Sequence, residues 1–291
     1  MDFGFLIDKK EFNCSDFSIV KVDEYDKIKT SFYEYVQVCD GWIYGPEKKL
    51  NKSHREKQEF KQPDLLVRDT FYSISATHRI KTNIKDDEHL RFLVLGYGFL
   101  QGLYLLPEGY SYFGRTPYEP GKLNGLFLKN DDYVNGMEII NNYYKSSIKE
   151  NRIQMFACMH WFSIGQSFNL EWDKFDAQYK VLDGIYRLSG LPKMIHAERP
   201  IKLANKYNIK LPEWAELNSS GKSRLSILRN ELVHEAKYAD TPIGYSYPSD
   251  NYSLEFTSFN TKLIAAALGI DTPYLKADHK NRCKWAWDIK T

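Results

Sequence analysis

Cysteine is scarce in this chain of 291 residues: four are present, Cys14, Cys39, Cys158 and Cys283, and no two form a Cys-x-x-Cys pair. A zinc ribbon and a disulfide framework both need paired, closely spaced cysteines, so both are excluded, and a reducing, cytoplasmic setting is expected. Long apolar runs are short too. The longest, Leu90 to Leu106, covers 17 residues and carries Arg91, Gln101 and three glycines. Crossing a bilayer takes about 20 apolar residues, so this run is expected to be a buried helix. The opening Met1-Asp2-Phe3-Gly4 shows no basic segment leading into an apolar core, and no secretory signal is expected. Charge of one sign is also missing: the net value of +2 gives the whole molecule no strong pull on polyanions. A nucleic-acid role must therefore rest on a local patch.

Several motifs are absent. There is no internal repeat, no low-complexity tract, no glycine-rich phosphate loop and no Gly-x-Ser-x-Gly elbow. Gly96-Tyr97-Gly98 lacks the third glycine of a dinucleotide fingerprint and follows no strand–turn–helix context. No trio of His, Asp or Glu has metal-site spacing, and no cofactor is expected.

What is present describes a globular protein. A hydrophobic share of 43% and a charged share of 27% suffice for ordinary cores, and the length suggests two domains. The aromatic share of 15% is assigned to aromatic cores before base-stacking surfaces. Residues 1–148 read as an α+β domain with a sensing or regulatory role. Short β-branched or aromatic stretches at Phe3–Ile7, Phe17–Val22, Phe32–Val38 and Thr70–Ala76 predict strands. Residues 45–64 and 108–129 read as loops, the first rich in Lys and Arg. A helix is predicted from Asp86-Asp87-Glu88 to before Pro107, and another over Asp131–Tyr144.

Residues 149–291 read as all-α, with four helices forming a bundle. They cover about Asn151–Phe168, Glu171–Ser189, Lys222–Tyr238 and Ser253–Leu268. A short helix is predicted around Ile201–Tyr207. On the third helix, Leu225, Leu228, Leu232 and Ala236 form the apolar side.

That third helix carries Leu228-Arg229-Asn230-Glu231-Leu232-Val233-His234-Glu235, an arginine, a polar neighbour, and a histidine five positions on. These groups suit metal-free RNA cleavage. RNA supplies its own nucleophile, the ribose 2′-hydroxyl, beside the scissile phosphate. A histidine with an ordinary pKa near 6.5 moves a proton at neutral pH. A guanidinium matches the phosphorane oxygens with paired, charge-assisted hydrogen bonds. Asn230, four residues before His234, shares its helix face and can donate to a phosphate oxygen or fix the imidazole tautomer. One difficulty is geometric: at about 100° per residue, Arg229 and His234 point roughly 140° apart on an α-helix.

Basic residues outnumber acids over Lys193–Lys237, and Lys222, Arg224 and Lys237 are the candidates for phosphate contacts. Structural roles are open for the same residues. Arg229 could pair with an acid on a solvated face, and His234 could cap the helix dipole. His160 reads as a packed or hydrogen-bonded histidine, His78-Arg79 as a minor polar site, and His54, His89, His196 and His279 as surface residues.

Arg229, Asn230 and His234, on the third helix of a four-helix unit, resemble the signature of HEPN domains, Arg-x(4–6)-His with Asn, Asp or His after the Arg. The resemblance covers about residues 151–270. It implies an α+β domain followed by an all-α HEPN-like four-helix bundle, and a metal-independent endoribonuclease leaving 2′,3′-cyclic phosphate ends. It also implies a homodimer in which two motifs face each other across a cleft. RNA, transfer RNA among the candidates, is the expected partner, together with an antitoxin or trigger protein. Similar proteins serve as toxins or in abortive-infection defence against phage. The other readings are a non-catalytic dimerisation or partner-binding module and an RNA binder that does not cut.

Overall fold

The computed structural model describes residues 1–6, 10–35, 38–39, 42–44, 47–49, 70–72, 75–107, 115–117, 125–126, 128–129, 132–245, 253–279 and 288–290. The chain forms an N-terminal antiparallel β-sheet with a helix, followed by a mainly helical region of several packed helices. Two compact units result, Met1–Val94 with Leu105–Lys122 and Leu95–Tyr104 with Leu123–Thr291.

In the first unit, β1 (Asp2–Gly4), β2 (Phe12–Asn13), β3 (Phe17–Lys21), β8 (His78–Thr82) and β9 (Leu106–Pro107) form a sheet in the order β2-β3-β8-β1-β9. Its strands alternate, so Phe3, Phe17, Ile19, His78 and Ile80 are buried while intervening residues reach outward. Register is pinned where Asp2 faces Arg79: Arg79 donates to both carboxylate oxygens, at 2.5 and 2.8 Å. Smaller pairings join β4 (Val38–Cys39) to β5 (Trp42–Tyr44), β5 to β10 (Arg115–Pro117), and β6 (Glu47–Lys49) to β7 (Thr70–Tyr72). Apart from residues 125–126 and 128–129, the rest of the two expected loops lies outside the described residues.

Two expectations are corrected here. Of the strand expected over Phe32–Val38, Phe32–Tyr35 is instead the end of helix α1, which spans Tyr25–Tyr35, while Val38 opens β4. The helical spacing of Tyr25, Ile28 and Phe32 outweighs the local aromatic preference. Ile28 N–H donates to Glu24 O at 2.8 Å to start the ladder. His78-Arg79, read as a polar site, opens β8 instead, with His78 buried against the rings of Phe3 and Tyr25.

Helix α2 spans Asp87–Gln101, with Asp86 accepting from the amides of Glu88 and His89 at its start. The second unit adds α3 (Asp132–Ser146), α4 (Lys149–Gly165), α5 (Glu171–Leu188), α6 (Arg199–Tyr207), α7 (Arg224–Asn230) and α8 (Ser253–Leu268). Helices α4 and α5 form a hairpin that approaches closely because Gly165 and Gly184 lack side chains. A Cβ on Gly165 would lie 2.4 Å from Ala177 Cβ, and one on Gly184 would lie 2.4 Å from Cys158 Sγ.

Helix α8 is the central element and packs on α3, α4, α5 and α6. Phe256, Phe259, Leu263 and Ile264 are fully buried, and so are Thr257, Ser258, Asn260, Thr261 and Lys262. Several of the polar groups find partners: the Asn260 amide nitrogen donates to the carbonyl and side-chain oxygens of Gln178 at 2.8 and 2.9 Å. Ser258 meets the Tyr274 hydroxyl at 2.9 Å, and Lys262 donates to Ala277 O. An unmet buried polar group would cost about 1–3 kcal/mol, so these bonds fix how α8 is rotated. Among the described residues, no helix is long and apolar enough to cross a membrane.

Candidate functional site

The residues singled out in the sequence sit where α7 changes character. Ser223 caps α7: its hydroxyl accepts from Ser226 N–H at 3.1 Å, and its own amide donates to Ser226 Oγ at 3.0 Å. This reciprocal box satisfies two amides that the first turn leaves without partners. Leu225 and Leu228 are buried in the core.

The helix does not run on to Tyr238 as expected. After Asn230 it widens into a π turn over Glu231–Glu235, closed by the amide of Ala236 donating to Glu231 O. Ala236 adopts the left-handed conformation at φ 50° and ends the helix, so it is exposed and not part of the apolar side. The chain then returns as a tight hairpin, β11 (Lys237–Tyr238) against β12 (Thr241–Pro242). Its two turn residues, Ala239 and Asp240, have φ of 53° and 62°, the positive pair that two-residue hairpins favour. Two anchors hold this conformation. Tyr238 is buried edge-on against Phe175, with ring centroids 5.4 Å apart, and the buried Glu231 carboxylate accepts from Asp240 N–H at 3.2 Å.

The π turn removes the geometric difficulty. Its hydrogen bonds join residues five apart instead of four, which brings position i+5 back near position i. Arg229 Nη1 lies 3.2 Å from His234 Nε2 and 3.2 Å from Asn230 Oδ1. A guanidinium only donates, so His234 Nε2 accepts and the ring proton sits on Nδ1. The same logic turns the Asn230 oxygen toward Arg229 and leaves its NH₂ as the donor end. Asn230 and His234 are exposed and Arg229 is half-buried. Among the described residues Arg229 makes its contacts with Asn230 and His234 and has no carboxylate partner.

Lys222 is exposed at the end of a turn organised by Asn218, whose Oδ1 accepts from the amides of Ser220 and Lys222. Arg224, in the first turn of α7, lines a pocket of about 360 Å³ with Lys210, Trp214, Glu255 and His279, which does not include Arg229 or His234. Lys237 follows the π turn and pairs with Glu235 at 3.3 Å, an exposed contact of the weak kind.

Tyr179, Asp183 and His196 form a second polar cluster that feels the charge of Arg229. The Tyr179 hydroxyl on α5 lies 3.4 Å from His196 Nδ1. Asp183, one turn on, lies 3.8 Å from the same nitrogen and accepts from Arg199 Nη1 at 2.6 Å. The turn His196–Glu198 packs on α7. Burial raises the Tyr179 pKa, Asp183 adds to that, and the charges of Arg229 and Arg199 oppose it. Burial lowers the His196 pKa, Arg199 and Arg229 lower it further, and Asp183 works against them. The i, i+4 spacing of Tyr179 and Asp183 was visible in the sequence as one helix face, but nothing in it tied that face to Arg229.

Other histidines are placed as follows. His160 Nδ1 meets the Tyr104 hydroxyl at 2.9 Å, a packed and hydrogen-bonded position as expected. His89 and His279 are buried, not at the surface; His54 lies outside the described residues. Among the described residues no three His, Cys, Asp or Glu side chains are grouped to hold a metal ion.

The chain matches no family model, no curated protein and no solved structure. The Arg229–His234 pair therefore stands on its own geometry.

Proposed function

We propose that this protein is a metal-independent endoribonuclease of the HEPN type, with Arg229, Asn230 and His234 as its catalytic groups. The observation that carries the reading is the 3.2 Å contact between Arg229 Nη1 and His234 Nε2 at an accessible surface. It is a guanidinium and an imidazole held together with no acid between them. A structural role would be served by full burial or by a carboxylate partner; Arg229 is only half-buried, His234 is exposed, and Arg229 has no carboxylate partner among the described residues.

In the free protein the guanidinium occupies the lone pair of His234. A phosphodiester offers Arg229 two anionic oxygens, a better partner than a neutral ring nitrogen. As Arg229 turns to them, His234 Nε2 is released to take the proton from the 2′-hydroxyl. That oxygen attacks phosphorus, the bond to the 5′-oxygen breaks, and a 2′,3′-cyclic phosphate and a 5′-hydroxyl result. Asn230 adds its NH₂ as a donor to the same phosphate. Lys222, Arg224 and Lys237 would meet flanking phosphates, each contributing non-specific affinity. The resemblance adds a homodimer, a restraining or sensing role for the N-terminal unit, and a setting in toxin or antiphage systems with an antitoxin or trigger protein.

Purified protein incubated with total RNA in EDTA tests the reading, alongside His234→Ala and Arg229→Ala. Wild type is expected to cut and each variant to lose about 10²–10⁴-fold in rate, the usual share of a proton-transfer group. Equal cleavage by all three overturns the assignment. Sedimentation is expected to show a dimer; a fully active monomer removes that part.

A further inference from the structure

We infer that His196 is the second proton-transfer residue of this site, the acid that protonates the departing 5′-oxygen, with Tyr179 and Asp183 as its positioning residues. The inference rests on the ribonuclease reading and adds a residue outside the Arg229–His234 motif.

Cleavage through the 2′-hydroxyl needs two proton transfers, one from the nucleophile and one to the leaving group. His234 accounts for the first. His196 meets the requirements of the second. Its side chain is 37% exposed and that of Asp183 is 32% exposed, so a substrate can reach them. Both neighbours approach the same ring atom: Tyr179 Oη and Asp183 Oδ1 lie 3.4 and 3.8 Å from Nδ1. That leaves Nε2 as the atom to give up a proton. Asp183 is itself fixed, since Arg199 donates to it at 2.6 Å and lies over the Tyr186 ring at 4.6 Å.

The charges around His196 come from three helices: Asp183 on α5, Arg199 on α6 and Arg229 on α7, with the Tyr179 hydroxyl alongside. In the free protein the two guanidinium groups and burial disfavour the imidazolium. A phosphate bound to Arg229 offsets one of those positive charges and adds its own negative charge to that of Asp183, which moves His196 toward the charged, acid form against burial and Arg199. The balance closes: the 2′-O–H bond breaks and its proton goes to His234 Nε2. The P–O2′ bond forms, the P–O5′ bond breaks, and the proton on His196 Nε2 goes to O5′. Exchange with water then restores both rings.

The test compares His196→Ala, His196→Gln and His234→Ala in the full chain on two oligonucleotides. One has an ordinary linkage; the other has a 5′-bridging phosphorothiolate, whose sulfur leaves without a proton. On the ordinary linkage the His196 variants are expected to lose about 10²–10⁴-fold and the high-pH limb of the rate profile. On the sulfur linkage they should recover to within about tenfold of wild type, while His234→Ala stays inactive. Recovery also shows that the variants are folded. Full activity of both His196 variants on the ordinary linkage, with His234→Ala inactive, overturns this inference and leaves the ribonuclease reading intact. Loss with no recovery on the sulfur linkage also overturns it, because a merely structural defect is not rescued. His234→Ala as active as wild type overturns the site itself.

Discussion

Acid should destabilise the helical unit through one side chain, His279. Its ring is buried edge-on against Phe259, with centroids 5.4 Å apart. Nε2 lies 2.5 Å from Lys210 O and must carry the proton to donate there. Nδ1 lies 3.2 Å from the Lys262 ammonium, which can only donate, so Nδ1 must accept. Both nitrogens are thus satisfied by the neutral ring, and a second proton on Nδ1 would face a positive charge. Burial, with the Lys262 charge, pushes the His279 pKa down to about 4 from 6.5. The unfolded chain takes up the proton as pH falls through 6.5, the folded chain only near 4. Stability is therefore full above pH 6.5, is lost between 6.5 and 4, and is unaffected by this group below 4. At 1.36 kcal/mol per pKa unit the whole effect is about 3 kcal/mol, a large part of the 5–15 kcal/mol typical of a domain. Urea unfolding at pH 7.5 and 4.5 should show wild type losing about 2–3 kcal/mol more than His279→Gln, whose amide can make both contacts. His160 and His196, also shifted down by burial, titrate in both proteins and cancel. Equal losses in the two proteins, or an NMR titration of His279 centred near 6.5, would refute the reasoning.

Two further outcomes concern the scaffold. Gly165→Ala places a methyl group 2.4 Å from Ala177 Cβ and should cost about 1–3 kcal/mol through forced separation of α4 and α5; unchanged thermal unfolding would contradict that packing. Ala239→Gly relieves a left-handed alanine at φ 53° and, after glycine's entropic cost, should stabilise by about 0.5 kcal/mol; a destabilised variant would contradict the turn geometry.

The parts of the fold that were legible in the sequence share one property: local punctuation agrees with hydrophobic period. Helix α8 spans Ser253–Leu268 as read, because Gly269 and Pro273 end a strongly apolar run. Helix α5 begins at Glu171 and stops one residue short of the expected Ser189. Where two local signals compete, the reading fails, as at Tyr25–Tyr35, whose aromatics suggest a strand and whose spacing makes a helix. The π turn is a different case. It is fixed by contacts from elsewhere, Tyr238 on Phe175 and Glu231 on the Asp240 amide. An α-helical wheel thus misplaces Arg229 relative to His234, although the motif itself was visible. His196, expected at the surface, is a similar case: it meets Tyr179 and Asp183 and feels the Arg229 charge only once the helical unit is packed.

The central claim is that the Arg229–His234 pair turns the RNA 2′-hydroxyl against its own phosphate. The most direct measurement uses one oligonucleotide sequence in two forms, all-ribose and 2′-O-methylated, and identifies the ends released by the wild-type protein in EDTA. The account predicts that only the ribose form is cut, with 2′,3′-cyclic phosphate and 5′-hydroxyl termini. Cleavage of the methylated strand, or 3′-hydroxyl ends on the products, would contradict it.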